Sequence, residues 1–294
     1  MSAPSLYDEA SVRTGIDPAA AHAIASRAEN ADGVPAISEQ FLLGLDDPHF
    51  GHTHFGVYLG DQLAGFAAVD GDSVELVVDP SHRRHGLGSK LIDAATAHGV
   101  TKIWAHGDLP GAQHIGATHH MVVTRTLLVM GSDDIDVSVV VPEGFTIMNL
   151  TQARAELDDA DGQWLKANNQ AFSWHPEQGG WDLDRLARAQ KTTWFRPEDV
   201  LFLVHDGDIT GFHWLKRHSE TLGEIYVVGL ARDFRGKGLG DPLVRAGLKH
   251  LHDLGMNRAI LYVEADNKPA VNAYTALGFQ VHERHVVYEP QGEL

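Results

Sequence analysis

Two stretches of the chain carry the same pattern of arginine and glycine between an apolar run and an amphipathic run. The first lies at residues 74–92 and reads VELVVDPSHRRHGLGSKLI, and the second lies at residues 226–244 and reads YVVGLARDFRGKGLGDPLV. Each contains Arg-x-x-Gly-x-Gly, and the second copy follows the first by 152 residues. Glycines at this spacing let successive N–H groups face one concavity at the positive end of the following helix. The pattern therefore predicts a cradle for a pyrophosphate group, although a purely structural turn is the alternative for either copy alone.

A repeat of this period indicates two domains of one kind rather than a solenoid, whose units span roughly 20 to 50 residues. Between the two copies, residues 131–144 read GSDDIDVSVVVPEG, an acidic cluster followed by a Pro-Glu-Gly turn signal. We therefore expect a first domain over residues 1–135, a linker over 136–144 and a second domain over 145–294.

Each glycine pattern is preceded by two apolar runs that a tight turn separates. The runs are HFGVYLGD and LAGFAAVDG in the first half, and VLFLVHDGD and ITGFHWLKRH in the second. Turns of Gly and Asp between such runs are typical of β-hairpins. After each pattern we expect an amphipathic helix and another strand, at Lys102–Trp104 and at Ala259–Glu264. Hairpins followed by strand–helix–strand units predict α+β (mixed α/β) domains, each with a mixed central sheet flanked by helices.

The composition excludes several classes of protein. The chain has no cysteine, which excludes disulfides, thiolate metal sites and a cysteine nucleophile. Its net charge of −17 disfavours nucleic acid and anionic membranes as partners and favours the approach of amines. The 19 histidines show no metal-binding spacing on a helix, so we expect no metal site. The chain shows neither an apolar run of about 20 residues nor a signal-peptide pattern, so we expect a cytoplasmic protein.

The glycine loops match neither a Walker loop, which needs a following Gly-Lys-Ser/Thr, nor a dinucleotide fingerprint of three spaced glycines. In their strand–loop–helix context they resemble the acetyl-CoA motif of the GNAT superfamily, in which the loop holds the pyrophosphate of coenzyme A. The resemblance also implies that the end of the preceding strand pairs through its backbone with the pantetheine arm. In the first half, the coenzyme-binding residues that the resemblance implies are Leu76, Val77, Val78, Arg84, His85, Gly86, Leu87, Gly88 and Ser89. In the second half it implies Val228, Gly229, Leu230, Arg235, Gly236, Lys237, Gly238, Leu239, Gly240 and Asp241.

The second half continues with a further stretch that resembles the later motif of the same superfamily. It reads LYVEADNKPAVNAYTALGF over residues 261–279. Asn267 suits a helix N-cap, Pro269 suits the first turn and Gly278 suits the end of the helix. From this stretch, the resemblance implies six further coenzyme-binding residues: Asn267, Lys268, Pro269, Ala270, Val271 and Asn272. The first half has no such stretch, so we expect its domain to bind acetyl-CoA without catalysing transfer.

Acetyl transfer to an amine needs a base for the amine proton and benefits from an acid for the departing thiolate. Glu224 opens a strand and lies two residues from Tyr226 and four from Val228, which predicts that all three share one face. We expect Glu224 to be the base, directly or through water, unless it is a solvated strand-start residue. We expect Tyr274 to protonate the sulfur, unless it is only a core residue of a capped helix.

Three more strings narrow the resemblance: HPEQGGW at 175–181, GFHWLKRH at 211–218 and GEIYVVGL at 223–230. Together with the tandem domains, they are similar to a GNAT family that acetylates the cysteinyl amine of cysteinyl-glucosaminyl-inositol. This resemblance implies a small, thiol-bearing pseudo-disaccharide as substrate and acetyl-CoA as co-substrate, and we expect the enzyme to be a monomer. The substrate-contacting residues it implies are Glu39, Glu177, Lys216, Glu224 and Tyr262. The alternatives are a GNAT enzyme for another amine, such as a protein N-terminus or an aminoglycoside, and a non-enzymatic coenzyme A sensor.

Overall fold

The computed structural model describes residues 5–173 and 178–292, and the elements named here are those within these ranges. The strands are β1 (Ser11–Thr14), β2 (Thr53–Leu59), β3 (Gln62–Asp70), β4 (Ser73–Val78), β5 (Lys102–Ala105), β6 (Met121–Ser132), β7 (Phe145–Asn149), β8 (Val200–His205), β9 (Asp208–Arg217), β10 (Leu222–Leu230), β11 (Arg258–Glu264) and β12 (Gln280–Pro290). The helices are α1 (Pro18–Asp32), α2 (Glu39–Asp46), α3 (Leu87–Ala97), α4 (Pro110–Thr118), α5 (Leu150–Glu156), α6 (Ala160–Ala171), α7 (Leu183–Ala189), α8 (Gly240–Asp253) and α9 (Lys268–Ala276).

The chain divides into two compact units whose limits differ from the expected domain limits. Of the described residues, the first unit holds 5–128, Glu264–Asp266 and 283–292, and the second holds Val129–Val263 and Asn267–His282. The second unit therefore ends before the expected second domain, 145–294, does. Val286, Val287 and Tyr288 of β12 pair with β5, so the end of the chain completes the sheet of the first unit.

The first unit is a mixed sheet with helices on both faces. Strands β1 to β4 pair antiparallel in sequence order, and β4 then pairs parallel with β5. Because side chains alternate along a strand, β3 divides its apolar residues between two cores. Ala67 packs in the cluster that contains Leu91 of α3, whereas Phe66 packs in the cluster that contains Ile24 of α1 and Phe41 of α2.

The second unit repeats this plan. Strands β7, β8, β9 and β10 pair antiparallel in sequence order, and β10 pairs parallel with β11. The turn between β8 and β9 has Asp206 at φ 51° and Gly207 at φ 83°, two left-handed residues of the kind that hairpin turns require. Phe212 and Trp214 of β9 pack with Trp164 of α6 on one face. The expected hairpins and the mixed α/β class are thus confirmed.

A β-bulge in β10 changes the faces that sequence alternation predicts. Glu224 pairs with Lys216 and Val228 pairs with His213, and the register shifts between Ile225 and Val227. Lys216 and His213 are an odd number of residues apart, so they point to opposite faces of β9. Glu224 and Val228 therefore lie on opposite faces as well, and the expectation of a shared face is wrong. The extra residue is Tyr226, and a bulge of this kind bends and twists the strand.

A buried group of charged side chains links the start of β8 and the end of β9 to α8. The Asp199 carboxylate accepts two hydrogen bonds of 2.6 Å from Arg217 and one of 2.8 Å from His250. Burial alone would raise the pKa of Asp199, but the hydrogen bonds from His250 and Arg217 outweigh it and hold the pKa below its usual value. This group therefore stabilises the fold at neutral pH.

We predict that Asp199→Asn lowers the free energy of unfolding by about 3 kcal/mol, because Arg217 keeps its charge without its partner. Since the pKa of Asp199 is lowered by folding, this contribution is complete above about pH 4 and disappears as the pH falls below the folded-state pKa. Urea titrations at pH 7 and pH 3 measure both effects. Asp253→Asn, which removes only exposed pairs, with Lys249 and His252, is the control and should leave the midpoint almost unchanged. Equal midpoints for both variants at pH 7 would contradict the prediction.

Candidate active site

The two glycine loops have the same backbone conformation at equivalent positions. In the first unit Arg84 has φ 67° and Gly86 has φ 77°, and in the second Gly236 has φ 72° and Gly238 has φ 75°. Each loop thus makes two left-handed turns before its helix begins. Neither α3 nor α8 has an N-cap side chain that accepts a hydrogen bond from the helix. The first N–H groups of both helices can therefore bind another partner. Such N–H groups and the helix dipole together favour an anion.

The arginine of each loop supports the loop itself. Arg235 Nε donates to the Leu230 carbonyl at 3.2 Å, and Arg235 also donates to the Gln170 carbonyl. In the first unit Arg83 Nε donates to the Val78 carbonyl at 3.1 Å. We expected Arg235 to bind the coenzyme. Its guanidinium donates to backbone carbonyls and ties the loop to the end of β10 and to α6, and coenzyme binding by Arg235 stays a prediction.

The parallel strands of the second unit part before they reach the glycine loop. Pairing between β10 and β11 covers Leu222–Ile225, whereas pairing between β10 and β9 continues to Leu230. Beyond the bulge, residues 227–230 are therefore paired on the β9 side, and their other edge faces the gap between the parting strands. This is the edge at which a ligand with amide groups can add as a further strand. The expected pantetheine residues Val228, Gly229 and Leu230 all lie on it.

Two glycines of this region have different physical roles. A Cβ at Gly229 would lie 2.7 Å from Ala171 Cβ, so glycine is needed for the end of α6 to approach β10. A Cβ at Gly240 would meet no protein atom within 4 Å. The space beside Gly240, at the start of α8, is therefore free of protein and adjoins the loop's N–H groups. The other expected loop residues, Lys237, Leu239 and Asp241, lie around this start, and Asp241 pairs with Arg245.

Helix α9 positions the candidate acid. The Asn267 side chain accepts a hydrogen bond from Ala270 N at 3.3 Å, as expected of an N-cap. At the other end Gly278 has φ 90°, its N–H donates to the Thr275 carbonyl and the next N–H, of Phe279, donates to the Tyr274 carbonyl. This is a Schellman termination. The remaining expected residues Lys268, Pro269, Val271 and Asn272 form the first turns of this helix.

The Tyr274 side chain is buried and packs 5.9 Å from the Phe279 ring. Burial raises the pKa of Tyr274 to about 12, so the phenol is protonated throughout the physiological range. A group that must donate a proton at neutral pH meets this condition.

Glu224 is buried, with 5% of its surface exposed, and its Oε2 lies 2.6 Å from His218 Nε2. Lys216 lies opposite Glu224 on β9, and its ammonium is 4.9 Å from the centre of the Trp194 ring. Trp194 in turn packs edge-to-face against Tyr226 at 4.9 Å. Sequence reasoning missed His218 and Trp194. The spacing along the chain could have indicated His218, because it lies two residues after Lys216 and directly follows the end of β9.

Other expected substrate residues are placed as follows. Ile260 of β11 lies opposite Glu224, so Tyr262, two residues further, is on the same side of that strand and is exposed. Glu39 begins α2 in the first unit. Glu177 lies outside the described residues. Trp194 also lines a groove of about 700 Å3, together with residues that include Arg196, Ser219 and Met256.

The first unit has a glycine loop of the same conformation, but different residues surround it. A Cβ at Gly88 would come within 2.8 Å of Ile115 of α4, so α4 packs closer to this loop than any residue does at Gly240. Gly116 of α4 lies against the Tyr288 ring, and the Tyr288 hydroxyl donates to Asp108 at 2.7 Å. The expected residues Leu76, Val77 and Val78 end β4, and His85, Leu87 and Ser89 follow in the loop and the start of α3.

A buried carboxylate also occurs in this unit, and sequence reasoning did not find it. Glu75 accepts a hydrogen bond from Ser38 N at 2.6 Å, and its other oxygen lies 3.0 Å from His106 Nε2. No tyrosine of α4 accompanies it, since that helix reads PGAQHIGAT. Across the described ranges, no group of three His, Cys, Asp or Glu side chains could hold a metal ion. None of the helices described there is long and apolar enough to cross a membrane.

Comparison with known proteins agrees with this architecture. Residues 164–279 match the model of the acetyltransferase (GNAT) family, and residues 51–117 match that of an acetyltransferase (GNAT) domain. The GCN5-related N-acetyltransferase from Sphaerobacter thermophilus is similar over 98% of both chains, with a TM-score of 0.69 and 22% identity. A tandem GNAT protein from the clavulanic acid biosynthesis pathway is similar over 97% of this chain and 100% of its own, with a TM-score of 0.69 and 17% identity. The fold and the two cradles thus define a tandem acetyltransferase of the GNAT type.

Sequence similarity narrows this class. The mycothiol acetyltransferase of Corynebacterium efficiens is 55% identical over 88% of both chains, and that of Corynebacterium glutamicum (strain R) is 54% identical over 88% of this chain and 89% of its own. The chain belongs to the mycothiol acetyltransferase family. It therefore transfers an acetyl group from acetyl-CoA to an amine, which confirms the enzymatic class that the sequence predicted.

We predict that Gly240→Val raises the KM for acetyl-CoA by about 10- to 100-fold, because the new side chain fills the space from which the phosphate reaches the N–H groups. The melting temperature without ligand should change little, since the Cβ meets no protein atom. Gly111→Val is the matched control, a glycine in the first turn of α4 whose Cβ also meets open space. Steady-state kinetics and thermal unfolding measure the two effects. An unchanged KM in a folded Gly240→Val enzyme would remove this loop from the coenzyme site.

Proposed function

We propose that this protein acetylates the cysteinyl amine of cysteinyl-glucosaminyl-inositol, the last step of mycothiol biosynthesis. The main structural support for this reaction is that the second unit contains two groups suited to proton transfer. One is the buried carboxylate of Glu224, which contacts His218, and the other is Tyr274, a buried tyrosine that is protonated at neutral pH. The similarity to mycothiol acetyltransferases across most of the chain supports this substrate over other amines. Acetyl-CoA supplies an activated acetyl thioester.

The second unit's residues would divide the work as follows. The N–H groups at Gly238 and Gly240 would hold the pyrophosphate, and the free edge of Val228–Leu230 would hold the pantetheine arm. Glu224 would take the proton that the amine loses as it becomes a nucleophile, directly or through one water molecule. Tyr274 would give its proton to the departing sulfur. Both transfers then proceed without a free hydronium or hydroxide ion.

The acceptor side of the unit offers groups suited to a polyol. Lys216 and Tyr262 lie on the side of Glu224 and can donate hydrogen bonds to hydroxyls, and Trp194 offers an aromatic wall. We include Glu39 and Glu177 among the substrate contacts on the strength of the resemblance alone.

We propose that the first unit holds a second acetyl-CoA that does not react. Its loop repeats the left-handed conformation of the catalytic loop, which supports binding. Its α4 carries no tyrosine, and the packing of Ile115 near Gly88 leaves less room than at Gly240. We further propose that the enzyme acts as a monomer in the cytoplasm, because one chain supplies every group of the mechanism and acetyl-CoA is made there.

Substrate competition tests the proposed function. We expect kcat/KM for cysteinyl-glucosaminyl-inositol to exceed that for N-terminal peptides and aminoglycosides by at least about 100-fold. The seryl analogue, which keeps the amine and lacks the thiol, should still be acetylated, whereas the analogue without the amine should not react. A preference for a peptide or an aminoglycoside would replace the proposed substrate, and reaction of the amine-free analogue would show transfer to sulfur.

We predict that Tyr274→Phe lowers kcat and kcat/KM by about 100-fold, the lower end of general-acid effects, because a thiolate leaves with little help. The ring and the helix packing remain, so the melting temperature and the KM for acetyl-CoA should hardly change. Since the pKa of Tyr274 is raised to about 12, the acid is present below that pH and lost only above it. The wild-type rate should therefore show no fall near pH 10 from this group. A folded Tyr274→Phe enzyme with normal kcat would exclude Tyr274 from the mechanism.

A further inference from the structure

His218 is the residue that contacts the proposed base and that the proposed mechanism does not use. Its Nε2 lies 2.6 Å from Glu224 Oε2, a short distance typical of hydrogen bonds to a charged acceptor. Glu224 is almost fully buried, while about a third of the His218 side chain is exposed. The pair therefore extends from the interior of the sheet to its surface.

The backbone fixes the imidazole in this position. The His218 N–H donates to the Leu222 carbonyl at 3.0 Å, and the N–H of Ser219 donates to the same carbonyl at 3.3 Å. These bonds close the loop between β9 and β10 two residues before Glu224. His218 directly follows Arg217, the last residue of β9, and Lys216, two residues earlier, lies opposite Glu224. The imidazole thus reaches Glu224 from a closed turn rather than from a mobile loop.

A buried carboxylate with several rotamers would be a poor base, because only one orientation points an oxygen at the amine. A donor on one oxygen selects the rotamer and leaves the other oxygen for the amine proton. Histidine with a proton on Nε2 is such a donor. Lys216, the charged group opposite Glu224, has its ammonium over the Trp194 ring.

We propose that His218 is a positioning residue for the base: its Nε2–H holds Glu224 Oε2 and so presents Oε1 to the amine. This inference rests on the proposed function, because it takes Glu224 as the proton acceptor. During transfer the amine nitrogen loses one proton to Oε1 as its bond to the acetyl carbon forms and the carbon–sulfur bond breaks. Coenzyme A leaves as the thiol with the proton of Tyr274, which regains a proton from solvent. The Nε2–H of His218 stays in place, and Glu224 afterwards releases its proton to solvent.

The first test compares two substitutions. His218→Ala should lower kcat by about 10- to 100-fold, the loss expected when a charged acceptor loses its donor, and should leave the KM for acetyl-CoA unchanged. His218→Gln places an amide N–H near the position of Nε2 and should recover most of the loss. His250→Ala is the matched control, because it removes another histidine–carboxylate bond of the same unit, to Asp199. It should lower the melting temperature without changing kcat. Normal kcat in His218→Ala, or no recovery in His218→Gln, would overturn the proposal.

The second test does not depend on turnover. In NMR spectra of the protein labelled with nitrogen-15 histidine, the Nε2–H of His218 should give a downfield resonance typical of a proton shared with a carboxylate. Glu224→Gln should move this resonance upfield, and His218→Gln should abolish it. A resonance that Glu224→Gln leaves unchanged would overturn the proposal even if the enzyme is active. If the pair is seen but the wild-type protein does not acetylate the amine, the proposed function fails while the contact stands.

Discussion

The parting of two parallel strands in the second unit is the constraint on which its site depends. Strands β10 and β11 pair only as far as Ile225 and Leu261, and the bulge at Tyr226 bends β10 immediately afterwards. A sheet that stayed closed would use for β11 the N–H and C=O groups of residues 227–230 that do not face β9, and would leave none of them for a ligand. Because the strands part, one edge of β10 can bind an extended molecule, and the cradle at the end of the same strand can bind its phosphates.

The same bulge sets the chemistry of the two faces. It places Glu224 with Lys216 and Trp214, and it places Val228 with His213 on the opposite face. The base therefore lies on the face that also carries Trp194 and Tyr226, away from the α8 side. One extra residue in the strand thus separates the side that receives the amine from the side that supports the helix of the cradle.

The two units show how one backbone plan carries different chemistry. Their glycine loops agree within a few degrees of φ at both left-handed positions, so the anion-binding geometry is common to both. The second unit adds a capped helix that brings in a buried tyrosine and leaves open space beside Gly240. The first unit uses the same region for packing, with Ile115 near Gly88 and Tyr288 against Gly116. The chemistry follows from the helix after the cradle rather than from the cradle.

The sequence by itself determined the features that depend on a few neighbouring residues. The left-handed loops at Gly86, Gly236 and Gly238 and the caps of α9 at Asn267 and Gly278 follow from local backbone preferences, which need no tertiary contact. The hairpins and the duplicated order of elements follow from hydrophobic periodicity and turn residues in the same way. The family follows from strings long enough to be specific.

Only the tertiary structure decided the features that depend on pairing between distant segments. The bulge that reverses the face of Val228 relative to Glu224 is a property of β9 and β10 together. The bond from His218 to Glu224 depends on that register, and the turn of Arg235 toward Gln170 depends on where α6 ends. Residues 286–288 of the last strand lie in the first unit because β5 offers them an edge, although some 180 residues of chain separate the two segments. No local preference encodes these contacts, because each arises when two segments far apart in the chain meet at one backbone register.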